Sequence, residues 1–262
     1  MTAAEPYIRL GAFLGVLALV ALAELLAPWR RPQARGRRWL ANLGVLALDG
    51  LAVRLAFPAA AIGAAFWAEA EGIGLLRGLP GWAAIPLAVL ALDLAIYLQH
   101  RVFHAVPWLW RLHRMHHADT EIDATTGLRF HPGEILLSMA IKIAVVVALG
   151  AAPVAVLVFE VLLNATAMFS HGNLALPPAL DRRLRRLLVT PAMHRVHHSV
   201  LRAETDSNFG FCLPWWDRLL GTYRAAPAAG PDGVTIGLPV FRGAEEQRLD
   251  RLLTQPFRAE TP

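Results

Sequence analysis

The sequence predicts an all-α fold: a multi-span membrane helical bundle of four to five spans, with a cytoplasmic helical cap that carries clustered histidines. Three observations predict it. Hydrophobic residues make up 56% of the 262 residues and charged residues only 17%, which is too little charge to cover a soluble surface of this size. Long apolar stretches recur at close to the roughly 20 residues that cross a bilayer. All ten histidines lie between residues 100 and 198.

The first span is expected at about residues 10–29, which are apolar apart from Glu24. A signal peptide is the alternative, because Ala21-Leu22-Ala23 resembles a cleavage site. A retained span is favoured, since Glu5 accompanies Arg9 before it and further spans follow. The arginines that come next are Arg30, Arg31, Arg35, Arg37 and Arg38. The positive-inside rule places this loop in the cytoplasm.

The remaining spans follow from the apolar stretches in order. They are expected at about residues 39–62, 82–99, 135–149 and 152–170. If the first loop is cytoplasmic, residues 100–131 and 171–225 emerge on the cytoplasmic side and form a metal-binding cap. Residues 1–262 as a whole are expected to form a single integral membrane domain, with multiple passes.

Eight of the histidines fall into three boxes with helical spacing. The boxes are His100-x3-His104, His113-x2-His116-His117 and His194-x2-His197-His198. Side chains at i, i+3 and i+4 share a helix face, and converging imidazoles suit a transition metal. Adjacent histidines diverge by about 100° around a helix, so one pair could address two ions or bridge across the site. The three boxes contain more histidines than one metal ion can bind, which indicates a dinuclear centre.

Two further histidines lie beside predicted span ends. His131 stands just before one span, and His171 follows another. Both lie at the membrane level expected for the boxes, so both are candidate metal ligands. The alternative for each is a histidine that supports a ligand without binding metal, or one that lies at the membrane interface.

Four other polar residues are candidates for supporting the ligands. Asp93 and Tyr97 precede His100 on the same helical stripe, and Asp93 could accept the second N–H of a ligand imidazole. The alternative for Asp93 is a buried acid bonded to a neighbouring helix. Asn208 and Asp217 follow the third box and could hydrogen-bond ligands.

Composition also excludes several classes. The single cysteine, Cys212, excludes a disulfide within the chain, a cysteine-ligated iron–sulfur cluster and a CxxC redox pair. The net charge of +5 does not predict nucleic-acid binding, because arginines beside apolar spans contact lipid headgroups and no recognised binding motif is present. The zinc-protease motif HExxH is absent. Imidazole ligands favour zinc, iron, copper or nickel.

The histidine pattern on a multi-span chain resembles the fatty acid hydroxylase/sterol desaturase superfamily of membrane di-iron enzymes. The resemblance covers about residues 85–225 and includes the stretches 93–101, 128–134, 208–210 and 216–223. It implies two iron ions held by the eight box histidines. His171 corresponds to a further ligand, whereas the role of His131 is not defined by the resemblance. Zinc could replace iron in a purified form.

The resemblance implies an O2-dependent oxidoreductase that hydroxylates or desaturates a C–H bond of a lipid-like substrate, such as a fatty acyl chain or a sterol. The metal centre alone would carry the chemistry. Two electrons would come from a separate donor, such as a ferredoxin, cytochrome b5 or a reductase. Two other interpretations remain open from the residues: a di-zinc membrane hydrolase, and a non-enzymatic metal-binding transporter or sensor. The latter predicts ligands along a transmembrane path, whereas these histidines gather at span ends.

Overall fold

The computed structural model describes residues 4–260, and its secondary structure confirms the all-α prediction. These residues form helices, short 3₁₀ turns and two isolated β-bridges, with no β-strand among them. Five helical segments are long and apolar enough to cross a membrane. They are Glu5–Leu26, Arg35–Ala70, Gly81–Ala105, Pro132–Leu149 and Pro153–His171.

The described residues form twelve α-helices, of which the long ones all lie before residue 172 and the last five are short. The first seven are α1 (Glu5–Leu26), α2 (Arg35–Ala56), α3 (Ala60–Ala70), α4 (Gly81–Ala105), α5 (Pro107–His117), α6 (Pro132–Leu149) and α7 (Pro153–His171). The later ones are α8 (Pro178–Leu184), α9 (Pro191–His197), α10 (Arg202–Thr205), α11 (Trp215–Leu219) and α12 (Leu249–Thr254).

The second predicted span consists of two helices in the structure. α2 ends at Ala56 and α3 begins at Ala60, because the intervening Pro58 has no N–H to donate and its ring clashes with the preceding turn. The 11-residue α3 packs against α6 and α7. We predicted from the sequence one span that ends near residue 62, whereas in the structure the helix is interrupted at residues 57–59.

The spanning helices pack through small side chains and expose large apolar ones. Ala65 of α3, Ala88 of α4 and Ala155 of α7 are all completely buried in one cluster, which lets the backbones approach closely. By contrast, Leu19 and Leu25 of α1 are 69% and 66% exposed. Apolar side chains in such positions face lipid in a membrane helix.

A buried acid of the first helix fastens the cap to one end of the bundle. The Oε1 atom of Glu24 accepts the N–H of Ala124 at 2.7 Å and the N–H of Asn173 at 3.0 Å. Arg35 pairs with its other oxygen at 3.0 Å. Glu24 therefore joins α1 to the segment after the second histidine box and to the chain just beyond α7.

A second fastening involves Arg38 of α2, which is 1% exposed. Its guanidinium donates to Asp119 at 2.7 Å and to Asp123 at 2.6 Å. Burial alone would raise the pKa of Asp119, but the guanidiniums of Arg38 and Arg129 hold that pKa below its usual value. These bonds fix the chain directly after α5 against the start of α2.

Candidate metal centre

Nine of the ten histidines form two neighbouring groups at one end of the bundle. The first group is His100, His104, His113, His117 and His197, and the second is His116, His171, His194 and His198. Within each group one potential ligand atom per residue lies within 4.8 Å of all the others, and every member is buried. The boxes, which are up to 98 positions apart in the chain, therefore meet.

Each pair of adjacent histidines is divided between the groups. His117 belongs to the first group and His116 to the second; His197 belongs to the first and His198 to the second. Their ring centroids are 5.4 Å apart in both pairs, because neighbouring side chains diverge around a helix. The groups touch through His117 and His198, whose rings stack at 4.5 Å.

Local sequence explains how these imidazoles are positioned. α4 continues as one helix through His100 and His104, so both project from its last turns. α5 and α9 each begin with a proline at the first helical position, where the fixed φ and the missing N–H cost nothing. Thr190 also caps α9 by accepting the N–H of Met193.

Backbone carbonyls fix the tautomer of four of the imidazoles. The Nδ1 atoms of His100, His116, His171 and His197 lie 2.7–3.1 Å from the carbonyl oxygens of Phe209, Arg129, Ala167 and Ser207, respectively. A carbonyl oxygen only accepts, so in the neutral ring the proton is on Nδ1 and Nε2 carries a lone pair. These four rings therefore present Nε2 to the centre.

The inward-facing nitrogens fit metal ions. The Nε2 atoms of His116 and His171 lie 3.1 Å apart, and both carry lone pairs, so without a cation between them they repel. Two nitrogen atoms that bind one metal at about 2.1 Å each, with an angle of about 90° between the bonds, are about 3.0 Å apart. The Nε2 atoms of His104, His117, His197 and His198 are buried and have no hydrogen-bond partner among the described residues. A buried unpaired nitrogen costs about 1–3 kcal/mol, which metal binding would offset.

Burial also keeps the cap imidazoles in the form that binds metal. It lowers the pKa of His113 to about 3. It also lowers the pKa values of His116, His117, His194 and His198 well below the usual range, and the neighbouring imidazoles add to this effect. Neutral imidazoles are the ligand form.

Two carboxylates that the sequence did not single out orient ligand candidates. Glu134, in the first turn of α6, lies 2.7 Å from the Nδ1 of His113. Asp206 lies 3.1 Å from the Nδ1 of His104. Carboxylates in this position fix the ring and raise its basicity. The signal for Glu134 was its place three residues after His131 in the stretch 128–134; the sequence contains no comparable signal for Asp206.

His131 is the exception among the histidines, and its predicted ligand role is not supported. It lies outside both groups and caps α6. Its Nδ1 accepts the N–H of Gly133 at 3.1 Å, and its Nε2 lies 3.2 Å from the carbonyl oxygen of Leu253. Nε2 donates and Nδ1 accepts, so the one available lone pair of the neutral ring is already used and none is left for a metal.

Asp93 supports the site in a different way from the one expected. It hydrogen-bonds no imidazole among the described residues; its carboxylate accepts the N–H of Cys212 at 3.2 Å, the N–H of Leu213 at 3.3 Å and the indole N–H of Trp216 at 2.8 Å. These bonds correspond to the alternative in which Asp93 is a buried acid bonded to a neighbouring helix, because Trp216 belongs to α11. Asp93 holds the segment after the third box against α4.

Tyr97 shares in this attachment. Its hydroxyl hydrogen-bonds Thr222 at 2.7 Å, and its ring contacts the edge of the Phe209 ring at a centroid distance of 6.3 Å. Tyr97 therefore packs against Phe209, whose carbonyl oxygen lies 2.8 Å from the Nδ1 of His100.

Asn208 and Asp217 position the backbone that supports the imidazoles. Asn208 has a φ of +51°, which Asn tolerates better than most residues, and its amide donates to Met193 at 2.9 Å. Asp217 accepts the N–H groups of Phe209 at 2.8 Å and Gly210 at 2.9 Å. Neither side chain hydrogen-bonds an imidazole.

Gly127 permits one close approach at the second group. A Cβ at this position would lie 2.8 Å from the carbonyl oxygen of Ala167 and 3.1 Å from the Nδ1 of His171. The 3₁₀ turn at Thr126–Leu128 can therefore pack against α7 only with glycine here. This contact keeps the region after the second box beside His171.

A sequence comparison places these residues in a known family. A sequence profile of the fatty acid hydroxylase family matches residues 85–222, a range that contains every histidine of both groups. No solved structure matches the chain.

Curated relatives include three lipid enzymes. An ornithine lipid hydroxylase, OlsE, of Rhizobium tropici is 30% identical over 177 residues, which are 66% of this chain and 50% of that protein. A human alkylglycerol monooxygenase is 27% identical over 165 residues, 61% of this chain and 35% of the relative. A rat cholesterol 25-hydroxylase is 28% identical over 144 residues, 54% and 47% of the respective chains. The chain thus spans half or less of the length of these relatives.

Proposed function

Because the chain belongs to the fatty acid hydroxylase family, we propose that it is a membrane oxygenase that uses two iron ions, O2 and external electrons to hydroxylate a C–H bond of a lipid-like substrate. The observation that carries the proposal is the pair of adjacent, buried groups of imidazoles. We assign His100, His104, His113, His117 and His197 to one ion and His116, His171, His194 and His198 to the other.

The number of donors favours iron over zinc. The first group offers five nitrogens, whereas structural zinc sites almost always use four ligands and catalytic ones usually three protein ligands. Imidazole also suits iron, and iron can change its oxidation state. The iron pair would supply O2 activation; the protein supplies a dry, nitrogen-lined pocket that holds both ions and excludes water.

The surrounding residues determine where a substrate can lie. A cavity of about 490 Å³ lies among α2, α4, α6 and α7 and is lined by Phe130 and Phe211. The Phe130 ring stacks on His116 at 4.4 Å, and the Phe211 ring contacts His100 at 5.1 Å. These two rings separate the cavity from the imidazoles, so a C–H bond beside them would lie close to the centre while the lipid remains within the bundle.

The relatives favour hydroxylation over desaturation, because the three compared above are named hydroxylases or monooxygenases. Their named substrates are an ornithine lipid, alkylglycerols and cholesterol. All three are lipids with a polar group and an apolar body. A lipid of this general class, entering from the bilayer, is the substrate that we propose.

We expect electrons to enter beside Trp110. Its ring lies 4.9 Å from the His104 ring and 5.3 Å from the His117 ring, and it is partly exposed. The guanidinium of the exposed Arg202 covers it at 4.6 Å. This is a short aromatic route from the surface to the first group, and its positive charge suits an acidic donor protein such as a ferredoxin or cytochrome b5.

The cytoplasmic location of the centre is also part of the proposal. The arginine-rich loop between α1 and α2 supports it through the positive-inside rule. This loop lies at the histidine end of the bundle, as shown by Arg35 and Thr120, which line the same cavity. A membrane-impermeant thiol reagent should label cysteines introduced at both positions from the cytoplasmic side only.

The direct test is oxygen incorporation into lipid. The protein is purified without oxygen, loaded with ferrous iron and reconstituted in bilayers with reductant and ¹⁸O₂, and the lipids are analysed by mass spectrometry. We expect one labelled oxygen per product molecule and none with His117→Ala. A product that forms without O2 and reductant would indicate the di-zinc hydrolase instead. Unchanged lipids together with stoichiometric metal would favour the sensor.

A further inference from the structure

The cavity beside the histidine groups is lined by two acids that form no ion pair with an arginine or lysine among the described residues. Asp49 of α2 and Glu134 of α6 both line it, and each is 5% exposed. The Oδ1 atom of Asp49 and the Oε2 atom of Glu134 have no hydrogen-bond partner among the described residues. The other oxygen of Glu134 is bonded to His113.

The cations that line the same cavity are engaged elsewhere. Arg9 pairs with Glu5 and Glu160, and Lys142 pairs with Glu160 at 2.8 Å. No ion pair joins either of them to Asp49. Of the remaining polar groups, the amide of Gln99 donates to Ser138 at 2.9 Å.

A ligand with its own positive charge would satisfy both acids. Buried carboxyl groups without partners are costly, and the cost falls when a charged donor is bound between them. A calcium ion prefers six to eight oxygen ligands, more than two carboxyl groups provide. A protonated primary amine has three N–H donors and needs only two or three acceptors.

The cavity also continues toward an apolar flank. It shares four residues with a second cavity of about 480 Å³ beside α1, namely Arg9, Leu46, Gly50 and Asn164. The second cavity is lined by Leu10 and Phe13, among other residues. An acyl chain fits such walls, whereas a free hydrophilic amine gains nothing from them.

We propose that Asp49, together with Glu134, binds the protonated amine of an aminolipid, so that the carbons near that amine lie beside Phe130 and Phe211. The inference rests on the proposed oxygenase function and names its substrate class. Asp49 acts as a specificity residue: it selects lipids with a positive headgroup and takes no part in the oxidation.

The test compares two probes with the same alkyl chain, hexadecylamine, whose amine is protonated, and N-acetylhexadecylamine, whose amide is uncharged. Binding to the zinc-loaded protein in nanodiscs of uncharged lipid is measured by tryptophan fluorescence, so no turnover is needed. A charge-assisted hydrogen bond in a buried site changes affinity by about tenfold or more. We expect the wild type to bind the amine at least about tenfold more tightly, and Asp49→Asn to bind both probes equally.

Two controls keep the result interpretable. Glu71→Gln changes an exposed acid and should leave the tenfold preference intact, while Asp49→Glu should retain much of it. Equal affinities in the wild type, or an undiminished preference in Asp49→Asn, would overturn the inference. If oxygenated lipids form but the protein shows no preference for the amine, only this inference fails and the proposed function stands. If the protein prefers the amine but no oxygenated lipid forms, the proposed function fails instead.

Discussion

The contrast between His171 and His131 gives the sharpest test of the metal centre. Both histidines stand at span ends, and the sequence predicted both as ligands. In the structure, His171 places its Nε2 3.1 Å from that of His116 and 2.9 Å from that of His194, whereas both nitrogens of His131 are bonded to the backbone. Alanine at each position should therefore have different effects.

The expected magnitudes follow from these contacts. A structural metal site contributes about 10–16 kcal/mol, so one of four nitrogens accounts for roughly 3 kcal/mol, or about 100-fold in affinity. His171→Ala should reduce the metal content from two ions per chain to about one. His131→Ala removes a helix cap, which costs about 1 kcal/mol, and should retain both ions with a melting temperature lower by roughly 2–4 °C.

The assay is elemental analysis by mass spectrometry on protein purified under identical conditions and dialysed against a weak chelator. Thermal unfolding of the same samples serves as the control for folding. Two ions retained by His171→Ala, or equal metal loss in both variants, would refute the assignment of the second group.

Three other outcomes are expected. Arg38→Met should lower the free energy of unfolding by about 3–5 kcal/mol, because it removes the guanidinium that donates to both buried Asp119 and buried Asp123. Denaturant titration measures this, and a change below about 1 kcal/mol would argue against the fastening. Gly127→Ala should lower the free energy of unfolding by about 1–3 kcal/mol and weaken metal binding by the second group, because its Cβ would lie 2.8 Å from the Ala167 carbonyl oxygen. Denaturant titration and metal content are the measurements, and retention of both ions on dialysis against chelator would contradict this. The metal-free protein should lose stability as the pH falls from about 6.5 toward 3, because unfolded imidazoles bind protons near pH 6.5 whereas burial lowers the pKa of His113 to about 3. Each such group contributes up to about 1.4 kcal/mol per pH unit, and equal melting temperatures at pH 7.5 and 5.5 would contradict this.

The sequence predicted the features that depend on spacing along a single helix. The i, i+3 and i+4 positions of the boxes determine which side chains share a face. The divergence of adjacent residues was expected to let one pair address two ions, and the structure divides both His116–His117 and His197–His198 between two groups. The long apolar stretches likewise indicated helices that are long enough to cross a membrane.

Features that depend on contacts between distant segments were not accessible from the sequence. His131 and His171 are equivalent by position, and only their backbone partners distinguish them. The sequence left two roles open for Asp93, an imidazole partner or a structural acid, and it accepts N–H groups of residues 212–213, more than 100 positions away. In the sequence, Glu24 is only an acidic residue within an apolar span. Its hydrogen bonds to residues 124 and 173 cannot be predicted from the residues around it.

The division of each histidine group among several segments has a consequence for biogenesis. One group needs His197 and the other needs His194 and His198, so neither pocket is complete until the ribosome has passed residue 198 and α7 has inserted beside α4. Loading of the proposed iron ions must therefore follow translation and membrane insertion. Cells starved of iron during synthesis should accumulate a folded, inactive pool that a later supply of the metal can rescue without new protein synthesis.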